Sequence, residues 1–326
     1  MSQWKTTDPA VWQGRNDLAE ASNALRVFQT LHRTRHDALE AITQSVVLMG
    51  FACDEGVRRN QGRTGAAEAP DALRRALANL ASHEGHDDVA DIGTLYVCDR
   101  ELEQAQQALS ETVQICQRNG QRTLVLGGGH ETAYAHGSGV YQAWPERRVG
   151  IINFDAHLDL RASPQATSGT PFRQLADDCR VHNRPFNYLC VGVSQAANTQ
   201  ALLEQAQTLG VEIIWDTECQ ITRLESVARQ IAAFASRCDV LYLTIDLDVL
   251  PAWQMPGVSA PAAYGVPVEA LVLLIRELCQ RPELRAIDLV EYNPQFDPQM
   301  QGARVAGRIL WQILHDWQRE YPCARP

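Results

Sequence analysis

Residues 151–161 read Ile-Ile-Asn-Phe-Asp-Ala-His-Leu-Asp-Leu-Arg, an apolar run that ends in Asp155, His157 and Asp159 at alternate positions. On an extended backbone alternate side chains share a face, so two carboxylates and an imidazole converge at the end of a buried strand. Residues 241–250 repeat the design, with Leu-Tyr-Leu-Thr-Ile running into Asp246, Leu247 and Asp248. A third strand-like run, Thr123 to Leu126, leads through Gly127, Gly128 and Gly129 to His130. Four carboxylates packed together without a cation would be driven toward protonation, because like charges at contact distance cannot all ionise in a poorly solvated site. His130, Asp155, His157, Asp159, Asp246 and Asp248 are therefore candidate metal ligands. Mixed carboxylate and imidazole donors favour Mn²⁺ or a similar borderline-hard ion, and six ligands suit two ions better than one.

Outward from these runs, strand and helix patterns alternate. Strands are predicted at 45–50, 89–95, 123–126, 149–154, 188–193, 212–215, 240–245 and 284–290. Helices are predicted at 70–80, 101–118, 132–141, 199–209, 224–237, 267–279 and 305–319. This pattern predicts an α/β fold in which a parallel sheet of about eight strands carries helices on both faces. Residues 45–326 read as a single catalytic domain. Residues 1–44 read as an N-terminal helical extension, with Leu18, Ala21, Leu25, Phe28 and Leu31 forming one apolar stripe. In an open parallel sheet ligands bind beyond the carboxyl ends of the strands. The six candidate ligands and Glu291 all directly follow predicted strands, so hydrophobic pattern and ligand spacing place the site at the same edge.

At 326 residues, 45% hydrophobic and 21% charged, the chain can bury a sizeable core. A formal charge of −10 argues against general affinity for nucleic acid or anionic membranes. Nine cysteines without a Cys-x-x-Cys pair read as reduced thiols. No signal core or membrane-length apolar run is present, and a cytoplasmic protein is expected. Residues 51–70, rich in glycine and arginine, form a shaped loop where binding residues gather, but lack the Gly-x-Gly-x-x-Gly pattern of dinucleotide sites. His136 is predicted to turn away from His130, six residues earlier on one helix, and His182 lies in a loop within reach of the pocket.

Gly-Gly-Gly-His at 127–130, Asp-Ala-His-Leu-Asp at 155–159 and Asp-Leu-Asp at 246–248 resemble, in order and spacing, the signature motifs of the ureohydrolase family, which includes arginase, agmatinase and formimidoylglutamase. The resemblance implies an arginase-like three-layer α/β/α sandwich with two Mn²⁺ ions. It places one ion on His130, Asp155, Asp159 and Asp246, and the other on Asp155, His157, Asp246 and Asp248. Residues 56–66, 168–174 and 291–294 resemble the formimidoylglutamase branch more than the arginases, which carry a histidine where this chain has Phe172. That branch implies hydrolysis of N-formimidoyl-L-glutamate to L-glutamate and formamide, in histidine breakdown, by attack of a metal-bridging hydroxide. An anionic amidine of this kind calls for arginines to meet its carboxylates. Arg63, Arg161 and Arg173 are the expected contacts, with Asn60, Ser168, Thr170 and Tyr292 beside them. Asp159 is the expected proton carrier, and Glu291 is expected to face the formimidoyl nitrogens. Another ureohydrolase activity, on agmatine, a guanidino acid or arginine, is the alternative. A homo-oligomer is the expected assembly, and a metal-holding protein without turnover is the reading from another class.

Overall fold

The computed structural model describes residues 2–83 and 86–317. Its strands are β1 (Gln3–Lys5), β2 (His32–Arg33), β3 (Val46–Ala52), β4 (Val89–Tyr96), β5 (Arg122–Leu126), β6 (Val149–Phe154), β7 (Asn187–Val193), β8 (Glu212–Trp215), β9 (Val240–Asp246) and β10 (Leu284–Val290). The α-helices are α1 (Val27–Thr30), α2 (Glu55–Arg59), α3 (Ala69–Ala78), α4 (Leu102–Arg118), α5 (Thr132–Ala143), α6 (Pro171–Val181), α7 (Gln200–Leu209), α8 (Leu224–Ala235), α9 (Val268–Cys279) and α10 (Gln301–Trp317). All ten strands join one sheet in the order β1-β4-β3-β5-β10-β9-β6-β7-β8, with β2 also on β4. Among the named strands of the described residues, only β1 pairs antiparallel.

Strand side chains alternate between two apolar cores. On β3, Val46 and Leu48 join the core beneath α3, α8, α9 and α10, whereas Val47, Met49 and Phe51 join the one beneath α4, α5 and α6. On β9, Leu241, Leu243 and Ile245 face the first core, and Val240 and Tyr242 the second. Both faces of these strands are buried, so they read as continuous apolar runs. The result is the expected three-layer α/β/α sandwich.

The eight strands expected from residue 45 onward are all present, and β1 and β2 extend the sheet beyond that number. The helical extension expected over residues 1–44 is reduced to the single turn of α1 and a 3-10 helix at His36–Ala41. Asp8 and Asn16 side chains accept the backbone N–H groups of Ala10 and Leu18, offering the chain turns in place of helix. β1 then pairs with β4, and Leu18 of the supposed stripe is left exposed. Trp12 is buried and donates its indole N–H to Asp91 at 2.7 Å. Asp91 also receives two hydrogen bonds from the buried Arg74, at 2.7 and 3.0 Å. Helices α2 and α6 were not expected. α2 is a short helix inside the glycine-rich loop, and α6 opens on Pro171. The expected end of the last helix, 318–319, lies outside the described residues.

Candidate metal centre and its cavity

Strands β5, β10, β9 and β6 are consecutive in the sheet, so their carboxyl ends deliver His130, Glu291, Asp246 and Asp155 to one place. Asp159 and Glu291 adopt φ values of 46° and 65°, a left-handed backbone that turns each side chain back over the sheet edge. At Gly128 a Cβ would lie 1.7 Å from the Cys53 carbonyl oxygen, so only glycine lets the β5 turn pass so close to the loop after β3.

His130 Nδ1 lies 3.2 Å from Asp155 Oδ2, 3.0 Å from Asp159 Oδ2 and 3.1 Å from Asp246 Oδ2. Neighbouring ligands held about 2.1 Å from a divalent ion stand about 3 Å apart, so this set has the span of a coordination shell. A second set shares Asp155. His157 Nδ1 is 3.1 Å from Asp248 Oδ2 and 3.5 Å from Asp155 Oδ1. The two sets, His130-Asp155-Asp159-Asp246 and Asp155-His157-Asp248, together contain all six expected ligands. Asp155 spans both sets. Asp246 falls in the first set, and its Oδ1 accepts the Asp248 N–H at 2.8 Å.

Two buried atoms test whether a metal suits these residues. His130 Nδ1 and Asp248 Oδ1 have no hydrogen-bond partner among the described residues, although both sit among polar groups. A buried lone pair aimed into a group of carboxylates is costly unless a cation satisfies it. His130 Nε2 meets the Thr244 hydroxyl at 3.1 Å, which leaves Nδ1 as the coordinating nitrogen.

The charges agree. Burial lowers the His130 pKa, but the carboxylates of Asp155, Asp159 and Asp246 outweigh it and hold it well above the usual value. Asp248 first, with Asp155, holds His157 above its usual value against the opposing effect of burial. Burial and neighbouring carboxylates push Asp246 well up and raise Asp159 and Asp248. Asp155 is buried too, yet the two histidines hold it low. Protons here occupy the role a divalent cation would take. Next to the centre, burial and Glu131 push Glu291 up to about 8, and burial pushes Glu131 up to about 7. Glu291 accepts the His130 N–H at 2.9 Å.

His157, Asp159, Asp246, Asp248 and Glu291 line a cavity of about 280 Å³. Of the expected substrate contacts, Asn60, Arg63, Arg161 and Ser168 line it. Asn60 donates to the Ser168 hydroxyl at 3.2 Å. The Arg63 guanidinium stacks 4.0 Å from the Phe296 ring and donates to the carbonyls of Ser259 at 3.0 Å and Val258 at 2.5 Å. Arg173 and Thr170 are not in this cavity; with Arg161 they line a neighbouring depression. Arg173 pairs with Asp177 at 2.9 Å, one helical turn along α6. The Thr170 hydroxyl is buried and closes its own loop on Thr167 and Gln174. Tyr292 is also buried, donating to Asp297 at 2.8 Å. Phe172 packs edge-on to His130, with ring centres 5.3 Å apart. His182 lies beside α6 in a separate cavity.

Gln61, Ser259 and Asn198 line the cavity without having been anticipated. Asn198 accepts the Leu158 N–H at 3.0 Å and donates to the Ala156 carbonyl at 2.9 Å, clamping the loop on both sides of His157. Its place just beyond β7 is the signal that could have identified it, since that loop opens on the same sheet edge.

The arginase family pattern matches residues 44–315, and the chain belongs to that family. Within it, the likeness extends over the whole length of formimidoylglutamases. The chain is 57% identical to the formimidoylglutamase of Photorhabdus laumondii subsp. laumondii, covering 97% of this chain and 100% of that protein. It is 55% identical to that of Citrobacter koseri, covering 98% and 100%. The crystal structure of Trypanosoma cruzi formiminoglutamase with Mn²⁺ aligns with a TM-score of 0.80 at 25% identity, covering 91% of this chain and 100% of that one. Formimidoylglutamase from Bacillus subtilis shares the fold at 20% identity, with a TM-score of 0.81 and coverage of 92% and 94%.

Proposed function

We propose that the protein hydrolyses N-formimidoyl-L-glutamate to L-glutamate and formamide. The observation that carries this reading is one cavity whose lining takes Asp159 and Asp246 from one carboxylate–imidazole ligand set and His157 and Asp248 from the other, with Arg63 and Arg161 beside them. Full-length relatives bearing the name of that activity support it. His130, Asp155, Asp159 and Asp246 would hold one Mn²⁺, and Asp155, His157 and Asp248, with Asp246 beside them, a second. Ions so held supply a polarised water as nucleophile near neutral pH.

The chain's own residues do the rest. Arg63 and Arg161 bind the substrate carboxylates, with Asn60 and Ser168 fixing their approach. Glu291 orients the formimidoyl nitrogens from behind His130. Asp159 takes up a proton on its carboxylate and passes it to the departing α-amine nitrogen. Arg173, Thr170 and Tyr292 contribute by shaping the loops around the cavity, not by contact. In this reading residues 45–326 work as one catalytic unit. The enzyme is cytoplasmic and homo-oligomeric, and the eight free cysteines among the described residues suit a reducing compartment.

Hydrolysis of N-formimidoyl-L-glutamate is compared with that of arginine, agmatine and guanidinobutyrate, using Mn²⁺-loaded and chelated protein. Metal-dependent release of glutamate from the first substrate alone is expected. Turnover of agmatine or arginine in its place overturns the roles of Arg63 and Arg161.

A further inference from the structure

Asn153 is a fully buried amide on the otherwise apolar strand β6, two residues before Asp155. Burying an amide is costly unless it meets partners, and Asn153 Oδ1 has none among the described residues. Its nitrogen is well used. Asn153 Nδ2 lies 3.0 Å from Asp155 Oδ2 and 2.9 Å from the Tyr188 phenol oxygen. Alternate positions on an extended chain put Asn153 and Asp155 on one face. Asn153 lies in register with Cys190 on β7, and Tyr188 is two residues along that strand, a diagonal neighbour across the pair. Tyr188 is buried, stacks on Phe172 with ring centres 4.5 Å apart, and donates to the Leu158 carbonyl at 3.1 Å. Leu158 stands between the ligands His157 and Asp159. A buried run of hydrogen bonds therefore joins the ligand loop, through Tyr188 and Asn153, to Asp155, the carboxylate that both ligand sets contain.

Donor and acceptor counting fixes how the amide sits. A carboxylate only accepts, so the edge of Asn153 that faces Asp155 must be its nitrogen. The phenol spends its hydrogen on Leu158, and its oxygen is left to accept the second amide hydrogen. The Cys190 sulfur, 3.8 Å from the same nitrogen, is the weakest of three acceptors for two hydrogens. On the far side, Asp155 Oδ1 accepts the His157 N–H at 2.7 Å. Each oxygen of Asp155 thus receives one hydrogen bond, which sets the plane of the carboxylate, and each keeps a lone pair for an ion. With the amide gone only Oδ1 is held, and the group can turn.

We infer that Asn153 is a positioning residue whose amide fixes the Asp155 carboxylate between the two ion sites, with Tyr188 holding the amide in place. The inference rests on the dimetal reading above and concerns metal affinity. Neither residue belongs to the ligand sets, and neither lines the substrate cavity.

The test is Mn²⁺ binding by full-length protein, followed through the electron paramagnetic resonance signal of free Mn²⁺. The proteins compared are the wild type, Asn153→Leu, which keeps the side chain's size and removes its donor, Tyr188→Phe, which keeps the ring, and the double variant. Loss of such an outer partner weakens metal binding by about 10- to 100-fold. Asn153→Leu should lose affinity for both ions by about that factor, because both ligand sets contain Asp155. Tyr188→Phe should lose less, about 3- to 10-fold, since the bond from the amide to Asp155 survives. The double variant should bind no more weakly than Asn153→Leu alone, because the phenol acts only through the amide. Wild-type affinity in Asn153→Leu overturns the inference, even where calorimetry shows the metal-free variant unfolding at lower temperature, since that pattern marks a packing residue. So does a double variant whose loss is the product of the two single losses. If Asn153→Leu does not fold, Tyr188→Phe decides alone, and wild-type affinity there refutes the inference. Wild-type protein that retains no Mn²⁺ would instead defeat the dimetal reading itself.

Discussion

Replacing the three arginines one at a time, each by methionine, separates substrate contact from local packing. A charge-assisted hydrogen bond to a carboxylate is worth about 1.5–3 kcal/mol when shielded. Arg161 stands exposed at the cavity rim, where water competes, so about 1–2 kcal/mol is the appropriate share. At 1.4 kcal/mol per factor of ten, Arg161→Met should lower kcat/KM for N-formimidoyl-L-glutamate about 5- to 30-fold. Arg63 is held over Phe296 and by two backbone carbonyls, so its remaining donors are pre-aimed and its loss should reach the upper end of that range. Arg173 is committed to Asp177 outside the cavity, and its replacement should change kcat/KM less than about 2-fold, since an exposed pair contributes little. The losses should lie in KM, because a carboxylate far from the reacting carbon is bound equally in ground and transition states. Steady-state kinetics at fixed Mn²⁺ measure all three. A loss at Arg173 equal to that at Arg161, or a fall in kcat with unchanged KM, refutes the placement of the substrate.

Asp248→Asn should reduce bound Mn²⁺ from two ions to one by elemental analysis and lower turnover by about 100-fold or more, while two retained ions would remove Asp248 from the ligand set. Metal affinity should fall as pH drops: both histidines are held above their usual pKa in the metal-free site, and coordination must displace those protons. The expected slope is about tenfold per pH unit for each proton displaced, and pH-independent chelator competition would contradict the charge account. Asp91→Ala strands the buried Arg74 guanidinium and should cost about 3–5 kcal/mol, read as a lower unfolding temperature of metal-free protein by calorimetry. An unchanged unfolding temperature would show that the N-terminal segment is not anchored through Asp91.

Much of this protein was legible along the chain because the information is local. Buried parallel strands must be apolar on both faces, so eight of them stand out as runs. Side chains alternate on a strand, so Asp155, His157 and Asp159 reveal a shared face before any fold is known. Other features depend on partners distant in sequence. The first 44 residues carry a helical stripe, but β4 and Asp91 draw them into strand and turn. Thr170, Arg173 and Tyr292 lie in segments that resemble the formimidoylglutamase branch, and only their neighbours Gln174, Asp177 and Asp297 show that they are already satisfied. The order β5-β10-β9-β6 is also tertiary: hydrophobic patterning specifies strands, not which strands lie side by side. That order brings ligands from separate parts of the chain within about 3 Å of one another.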